Sequence, residues 1–355
     1  MTPTITGGQA VVRSLLDHEV DTVFGIPGIQ LDNLFDAFHE RRNNLRVIHT
    51  RHEQGAAFMA MGYAQASGRT GVFAVVPGPG LLNSLTALAT GASANLPMLC
   101  LTGQIPSYQI GQGLGIAHEL KDQIAVTRGV IDWTRRAEHP AAVPALLADA
   151  FQHMHSGRKS PAVFEMAPDL LGQKAPVEPV APLTPHPAPV PDAEAIAQAA
   201  GRLAAAARPL ILVGGGIVEA EGPLKAIAER LGAPVVMSPN ARGSLPDSHP
   251  LAFTMLSGQE AWMHCDVALV VATRFTNAAL AWGREGEVET IRIDIDPVQI
   301  TKPRRAGLAI VTSADLGLRA LDRALAEMRP GLRAIWSEAA AAREEMAAKL
   351  AELEP

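Results

Sequence analysis

Val72-Phe73-Ala74-Val75-Val76 runs into Pro77-Gly78-Pro79-Gly80, a helical stretch follows, and Met98-Leu99-Cys100-Leu101 ends on Thr102-Gly103-Gln104. An uncharged run, a proline and glycine turn, a helix and a second uncharged run make a βαβ unit, with parallel strands and helices on the faces of the sheet. The same rhythm appears upstream. A strand ending at Val23-Phe24 leads through Gly25-Ile26-Pro27-Gly28 to Leu31, Leu34, Phe35 and Phe38, spaced as on one face of a helix. Val47-Ile48 leads to an alanine-rich helix after Glu53. Thr6-Gly7-Gly8-Gln9 has the form of a capping box, opening a first helix on Val12, Leu15 and Leu16. The expectation is an α/β fold whose open, mainly parallel sheet is flanked by helices.

Downstream the rhythm breaks. Residues 171–195 hold Pro176, Pro179, Pro182, Pro185, Pro187, Pro189 and Pro191, too closely spaced for a helix or a central strand. The apolar run 210–213, the glycines Gly214, Gly215 and Gly216, a helix over 225–231 and the runs 235–236, 267–271 and 291–295 then predict a second open α/β sheet, ending in a helix over 316–328. The predicted organisation is a first domain over 1–170, a proline-rich linker over 171–195, a second domain over 196–330 and a charged, alanine-rich helical connector over 331–355. Two domains also suit a length of 355 residues, since single cores usually stop growing at roughly 250–300.

Bulk properties exclude several classes. A formal charge of -6 with no polybasic tract argues against a nucleic-acid partner. No stretch approaches the roughly 18 uncharged apolar residues of a membrane span, and Met1-Thr2-Pro3-Thr4-Ile5-Thr6 lacks the basic start of a secretory signal, so a cytoplasmic protein is expected. Cys100 and Cys265 lie in separate apolar runs, without metal or redox spacing, and read as buried, inert thiols.

Open parallel sheets bind ligands beyond the carboxyl ends of their strands. In the first domain those ends carry Gly25-Ile26-Pro27-Gly28, Arg51-His52-Glu53-Gln54-Gly55, Pro77-Gly78-Pro79-Gly80 and Thr102-Gly103-Gln104. Glycine and proline let backbone approach a flat ligand. One carboxylate, Glu53, enters this rim beside small and apolar neighbours that would hold water away from it, which suits a group exchanging a proton with a ligand nitrogen. Equally, Glu53 complements the dipole of the helix it begins. Pro79 and Gln104 also have plain readings as turn or cap residues.

These motifs, with Gly62-Tyr63-Ala64 and Asn83, resemble in order and spacing the pyrimidine-binding domain of acetolactate synthase-like enzymes that depend on thiamine diphosphate. The second domain resembles that family's Rossmann-like central domain through Gly214-Gly215-Gly216, Arg274-Phe275 and Asp294-Ile295-Asp296-Pro297. The resemblance implies a 2-oxo acid decarboxylase or carboligase, a lyase or transferase. In it Glu53 bonds the N1′ atom of the aminopyrimidine, Pro27, Gly28, Pro79 and Asn83 surround that ring, and Gln104 faces the reacting centre. It also implies self-association, as a dimer or tetramer. Arg158 and the Gly214–Gly216 turn match residues that hold FAD in some relatives, but Thr276-Asn277 stands where synthases carry two acidic residues, so flavin is left open.

Two departures bear on substrate. Ile29 stands where synthases have a second glycine, and His118, in a loop lacking the synthases' phenylalanine-glutamine pair, is either a group acting on substrate protons or a surface histidine. The Gly-Asp-Gly motif that holds Mg²⁺ and the diphosphate in a third domain does not occur, and no metal ligands are expected in this chain. The expectation is a fragment or one subunit of a split enzyme, inactive without that domain and partnered by a diphosphate-binding subunit in the second case. A non-catalytic nucleotide-binding or regulatory protein is the alternative; retention of Glu53 argues against it. A nicotinamide dehydrogenase ranks last, because Gly214-Gly215-Gly216 lacks the G-x-G-x-x-G spacing.

Overall fold

In the computed structural model, which describes residues 2–284, 286–328 and 331–352, the run beginning at Val72 is a central strand whose alternate residues enter different cores. Val72 and Ala74 join one apolar cluster with Leu99, Leu101 and Phe164; Phe73 and Val75 join another with Phe24, Cys100 and Val163. A strand buried on both faces needs apolar residues at every position, which is why it reads as a continuous apolar run. Each fully buried valine or phenylalanine contributes roughly 1.5–3 kcal/mol relative to exposure.

The chain divides into two units, Met1–Pro187 and Ala188–Pro355. The first has strands β1 (Thr4–Thr6), β2 (Thr22–Gly25), β3 (Arg46–His49), β4 (Gly71–Val75), β5 (Met98–Thr102), β6 (Trp133–Ala137), β7 (Ala162–Met166) and β8 (Lys174–Pro176). Six form a sheet in the order β3-β2-β4-β5-β7-β6, with every pairing parallel. β1 and β8 form a separate antiparallel pair. Helices Gly7–Asp17, Asp32–Glu40 and Val143–His155 supply one apolar cluster, and helices Glu53–Ser67 and Pro79–Ala94 supply the other. The capping box at Thr6 forms: its side chain accepts from Gln9 N, and Gln9 Oε1 accepts from Thr6 N at 3.0 Å.

The second unit has strands β9 (Pro209–Val213), β10 (Val235–Met237), β11 (Ala252–Phe253), β12 (Val267–Val271), β13 (Glu289–Asp294) and β14 (Leu308–Val311). They form a parallel sheet ordered β11-β10-β9-β12-β13-β14. A helix, Ser337–Ala351, follows.

Each sheet reverses its winding direction beside its first strand in chain order, and in the first sheet the chain also goes out to the edge strand β6 before stepping back to β7. In the first unit the chain steps from β2 outward to β3 and returns on the other side with β4; in the second it steps from β9 to β10 and returns with β12. The connections leaving two such neighbouring strands part in opposite directions and open a crevice at their carboxyl ends. The two switch points are thus β2/β4 and β9/β12.

Candidate active site

Pro27 and Gly28 follow β2, and Pro77, Gly78 and Pro79 follow β4, so the first unit's proline and glycine turns border its switch point. Gly28 lies against Val76, since a Cβ added there would stand 2.5 Å from Val76 Cγ1. Pro27 and Pro79 are exposed, and so is Ile29 at 80 %. Gly78 has φ 59° and ψ -117°, a conformation costly for any residue with a side chain, and an added Cβ would meet His118 O at 2.7 Å. From this bend helix Pro79–Ala94 starts with proline in its first turn, where the missing N–H costs nothing.

Glu53 is the first residue of helix Glu53–Ser67, capped by His52, whose side chain accepts from Gln54 N. Asn83, one turn into the neighbouring helix, donates from Nδ2 to Glu53 Oε2 at 3.0 Å. These residues lie 30 positions apart in the chain and meet because the helices follow β3 and β4, the two strands that flank β2, and pack into one apolar cluster on the same face of the sheet. Glu53 is half-buried, and its Oε1 has no hydrogen bond among the described residues.

His118 has φ 72° and pairs through Nδ1 with Gln30 Nε2 at 3.0 Å. Its loop is further held by Glu119, which accepts from Leu114 N and Ile116 N. His118 therefore sits beside the Gly78 bend, at the same switch point as Glu53. Gln104 is buried, at 3 % exposure; its Nε2 donates to Glu165 Oε1 at 3.2 Å and its Oε1 accepts from Ile105 N at 2.8 Å.

Glu165, Gln123, Gln30 and Arg136 were not singled out by sequence reasoning. Glu165 is 1 % exposed and receives hydrogen bonds from Gln104, Gln123 and Arg136. A carboxylate inside the apolar run Ala162-Val163-Phe164-Glu165-Met166 was the available signal, because a buried charge demands partners. Gln123 had none: a glutamine after an aspartate reads as a helix start, and Asp122 does cap that helix.

The remaining candidates lie elsewhere. Arg158, partly buried, follows helix Val143–His155 in the first unit, and Gly214, Gly215 and Gly216 follow β9 in the second. Gly214 is buried, and a Cβ there would stand 2.2 Å from Ala272 O, while Gly215 and Gly216 are exposed. Both cysteines are buried and free, and burial pushes the Cys265 thiol up to about 12. No helix among the described residues is long and apolar enough to cross a membrane.

Comparison with known proteins adds to this geometry. Residues 5–126 match the family pattern described as "Thiamine pyrophosphate enzyme, N-terminal TPP binding domain", and residues 196–321 match "Thiamine pyrophosphate enzyme, central domain". The chain is 36 % identical over 325 residues to the "Probable 2-ketoarginine decarboxylase AruI" of Pseudomonas aeruginosa, covering 90 % of this chain and 58 % of that protein. It is 34 % identical to an acetolactate synthase of Mycobacterium bovis, covering 86 % and 51 %. Identity to the large subunit of acetolactate synthase isozyme 1 of Escherichia coli is 30 %, covering 87 % and 56 %. The chain spans just over half the length of these relatives.

Proposed function

The chain belongs to the thiamine pyrophosphate enzymes, of which it carries the N-terminal and central domains, and from that premise we propose that it forms the aminopyrimidine-binding part of a 2-oxo acid decarboxylase or carboligase. The observation that carries this reading is the Glu53–Asn83 pair at the β2/β4 switch point. Asn83 occupies one carboxylate oxygen and so orients the other, which lacks a protein partner among the described residues and suits a ring nitrogen that must be held and protonated. Glycine at position 28 lets the turn after β2 pack directly on Val76, just after β4, which draws the two turns of the rim together. These features fit the pyrimidine end of the cofactor.

When bound, thiamine diphosphate supplies a carbon nucleophile and an electron sink for loss of carbon dioxide from a 2-oxo acid. The residues proposed around its pyrimidine are Pro27, Gly28, Pro79 and Asn83, with Glu53 exchanging the proton at the ring nitrogen. His118, oriented by Gln30, and Ile29 are proposed to contact substrate. Gln104 has committed both ends of its amide to Glu165 and Ile105, so its proposed contribution is to hold the end of β5 at the reacting centre. Mg²⁺ and the diphosphate would be held by a further domain or a partner subunit.

Self-association is proposed on the helices that carry Glu53 and Asn83, where Met59 and Leu82 are each 42 % exposed. A monomer in sedimentation at micromolar concentration would count against it. FAD is the open addition, at the exposed Gly215 and Gly216 of the second unit; a colourless preparation that takes up no added FAD removes it.

The central test supplies the chain with a diphosphate-binding domain and follows carbon dioxide release from 2-oxo acids together with exchange of the cofactor's C2 proton. Glu53→Gln is expected to slow exchange by a factor of about 100 to 10,000, because an amide cannot take up the proton. Equal exchange rates in the two proteins would return Glu53 to the role of a helix-start carboxylate.

A further inference from the structure

Beneath the rim, one buried side chain ties three strand ends together. Gln123 is 1 % exposed. Its Oε1 accepts from Gly78 N at 3.0 Å, and its Nε2 donates to Gly103 O at 2.9 Å and to Glu165 Oε2 at 2.7 Å. The orientation of the amide is chemically determined: a backbone N–H only donates, whereas a carbonyl and a carboxylate only accept, so oxygen must face Gly78 and nitrogen the other two. Gly78 follows β4, Gly103 follows β5 and Glu165 belongs to β7. Glu165 is itself fixed by Gln104 and by the Arg136 guanidinium, whose charge compensates a carboxylate removed from water.

We infer that Gln123, anchored on Glu165, is a positioning residue that sets Glu53 and His118 together. The route to Glu53 runs from Gly78, which bends the chain into helix Pro79–Ala94, to Asn83 on that helix and so to the carboxylate. Two contacts reach His118. Gly78 lies against the His118 backbone, and Gly103 lies against Gln30, 3.2 Å from an added Cβ to Gln30 Cβ, which holds the His118 ring. A single amide thereby fixes the two turns between which both groups stand. This rests on the reading that the rim receives the aminopyrimidine, and the test separates the two.

Gln123→Leu keeps the volume and strands a donor and two acceptors. On the isotopically labelled chain, hydrogen exchange at the Gly78 amide is expected to accelerate at least about tenfold, a hydrogen bond into a buried network being lost. The Asn83 side-chain amide and His118 ring resonances should both shift. The Trp133 indole N–H, bonded to Asp149 at the far end of β6, should not. Thiamine, the cofactor without its diphosphate, should bind at least about tenfold more weakly than to wild type.

Unchanged Asn83 and His118 resonances alongside a deprotected Gly78 would overturn the inference. If wild type itself takes up no thiamine, the proposed pyrimidine site fails, and the positioning role is decided by the resonances alone. Should Gln123→Leu not fold, Gln123→Asn keeps both amide functions on a side chain one methylene too short to span Gly78, Gly103 and Glu165. It is expected to shift the Gly78 amide, the Asn83 side-chain amide and the His118 ring resonances together, and a shift at Gly78 that leaves the other two unmoved overturns the inference.

Discussion

Both switch points place glycine after the first of the two diverging strands, yet the glycines serve different neighbours. At β2/β4 the bends after the strands carry side chains that meet one another: Asn83 with Glu53, Gln30 with His118, and Gln123 beneath them. At β9/β12 the close approach is backbone to backbone, Gly214 against Ala272 and Thr273. The loop after β12 is held from below by Arg292, 1 % exposed, which donates to Thr273 O at 3.1 Å and to Lys302 O and stands over the Phe275 ring. Ala272 and Phe275 adopt φ of 49° and 59°, which non-glycine residues keep only where their surroundings enforce it. A glycine at a strand end is therefore no sign of a ligand by itself. The proposed site is distinguished by polar side chains that converge on the bend and leave Glu53 Oε1 without a partner among the described residues.

The comparison breaks most easily at Gly214. Its replacement by alanine forces a methyl group into the Ala272 carbonyl, and overpacking of this kind is expected to destabilise the second unit by about 3 kcal/mol. Urea unfolding checks this through tryptophan fluorescence, since Trp262, Trp282 and Trp336 report the second unit and Trp133 the first. A shift in the first unit's transition, or none in the second's, would contradict the packing role.

Gly78→Ala should destabilise the first unit by a smaller amount, about 2 kcal/mol for the left-handed backbone conformation, since its closest approach, 2.7 Å to His118 O, is less severe than the 2.2 Å to Ala272 O at Gly214. Its diagnostic effect is on the site: thiamine affinity should fall with Gly78→Ala and stay unchanged with Gly214→Ala, as titration calorimetry of the two variants would record. Equal losses in both would erase the distinction between the switch points.

The smallest effect concerns pH. His153 and His155, on helix Val143–His155 in the first unit, are both held below the ordinary imidazole value, in each case chiefly by burial. For His155 the neighbouring Lys159 and His18 add to this; for His153 the carboxylates of Asp132 and Asp149 oppose it. In this window the unfolded chain binds more protons than the folded one, so the stability they contribute is present above about pH 6.5 and is lost as pH falls through the lowered values. A shallow decline of the first unit's unfolding midpoint below neutrality is expected, and the double variant His153→Gln/His155→Gln should flatten it. A slope unchanged by that variant would assign the decline to other groups.

The central strands of both sheets were legible because strands covered on two faces read as unbroken apolar runs; Val72 to Val75 and Val267 to Val271 are buried throughout. β6 was not legible. It is an edge strand, Trp133-Thr134-Arg135-Arg136-Ala137, whose arginines break the apolar pattern, one exposed and one turned to Glu165. β7 was missed for a related reason: Glu165 interrupts its run, and only the fold supplies Arg136, Gln104 and Gln123 to satisfy it. β11, two residues long, and β14, at the outer edge, lack the length or burial to stand out.

By itself the sequence determined the α/β class, the alternation of strand, turn and helix, and the residues standing at the strand ends, because these depend on local periodicity and on the backbone limits of glycine and proline. Which of those residues face one another was decided only by tertiary structure. Asn83 reaches Glu53 across 30 residues, Gln30 reaches His118 across 88, and Gln123 joins Gly78, Gly103 and Glu165 across 45, 20 and 42. The physical reason is that strand order in a parallel sheet is set by crossover connections and by the burial of whole faces, so strand ends distant in the chain become neighbours. A polar side chain removed from water is then held in place by whichever partner the topology brings to it.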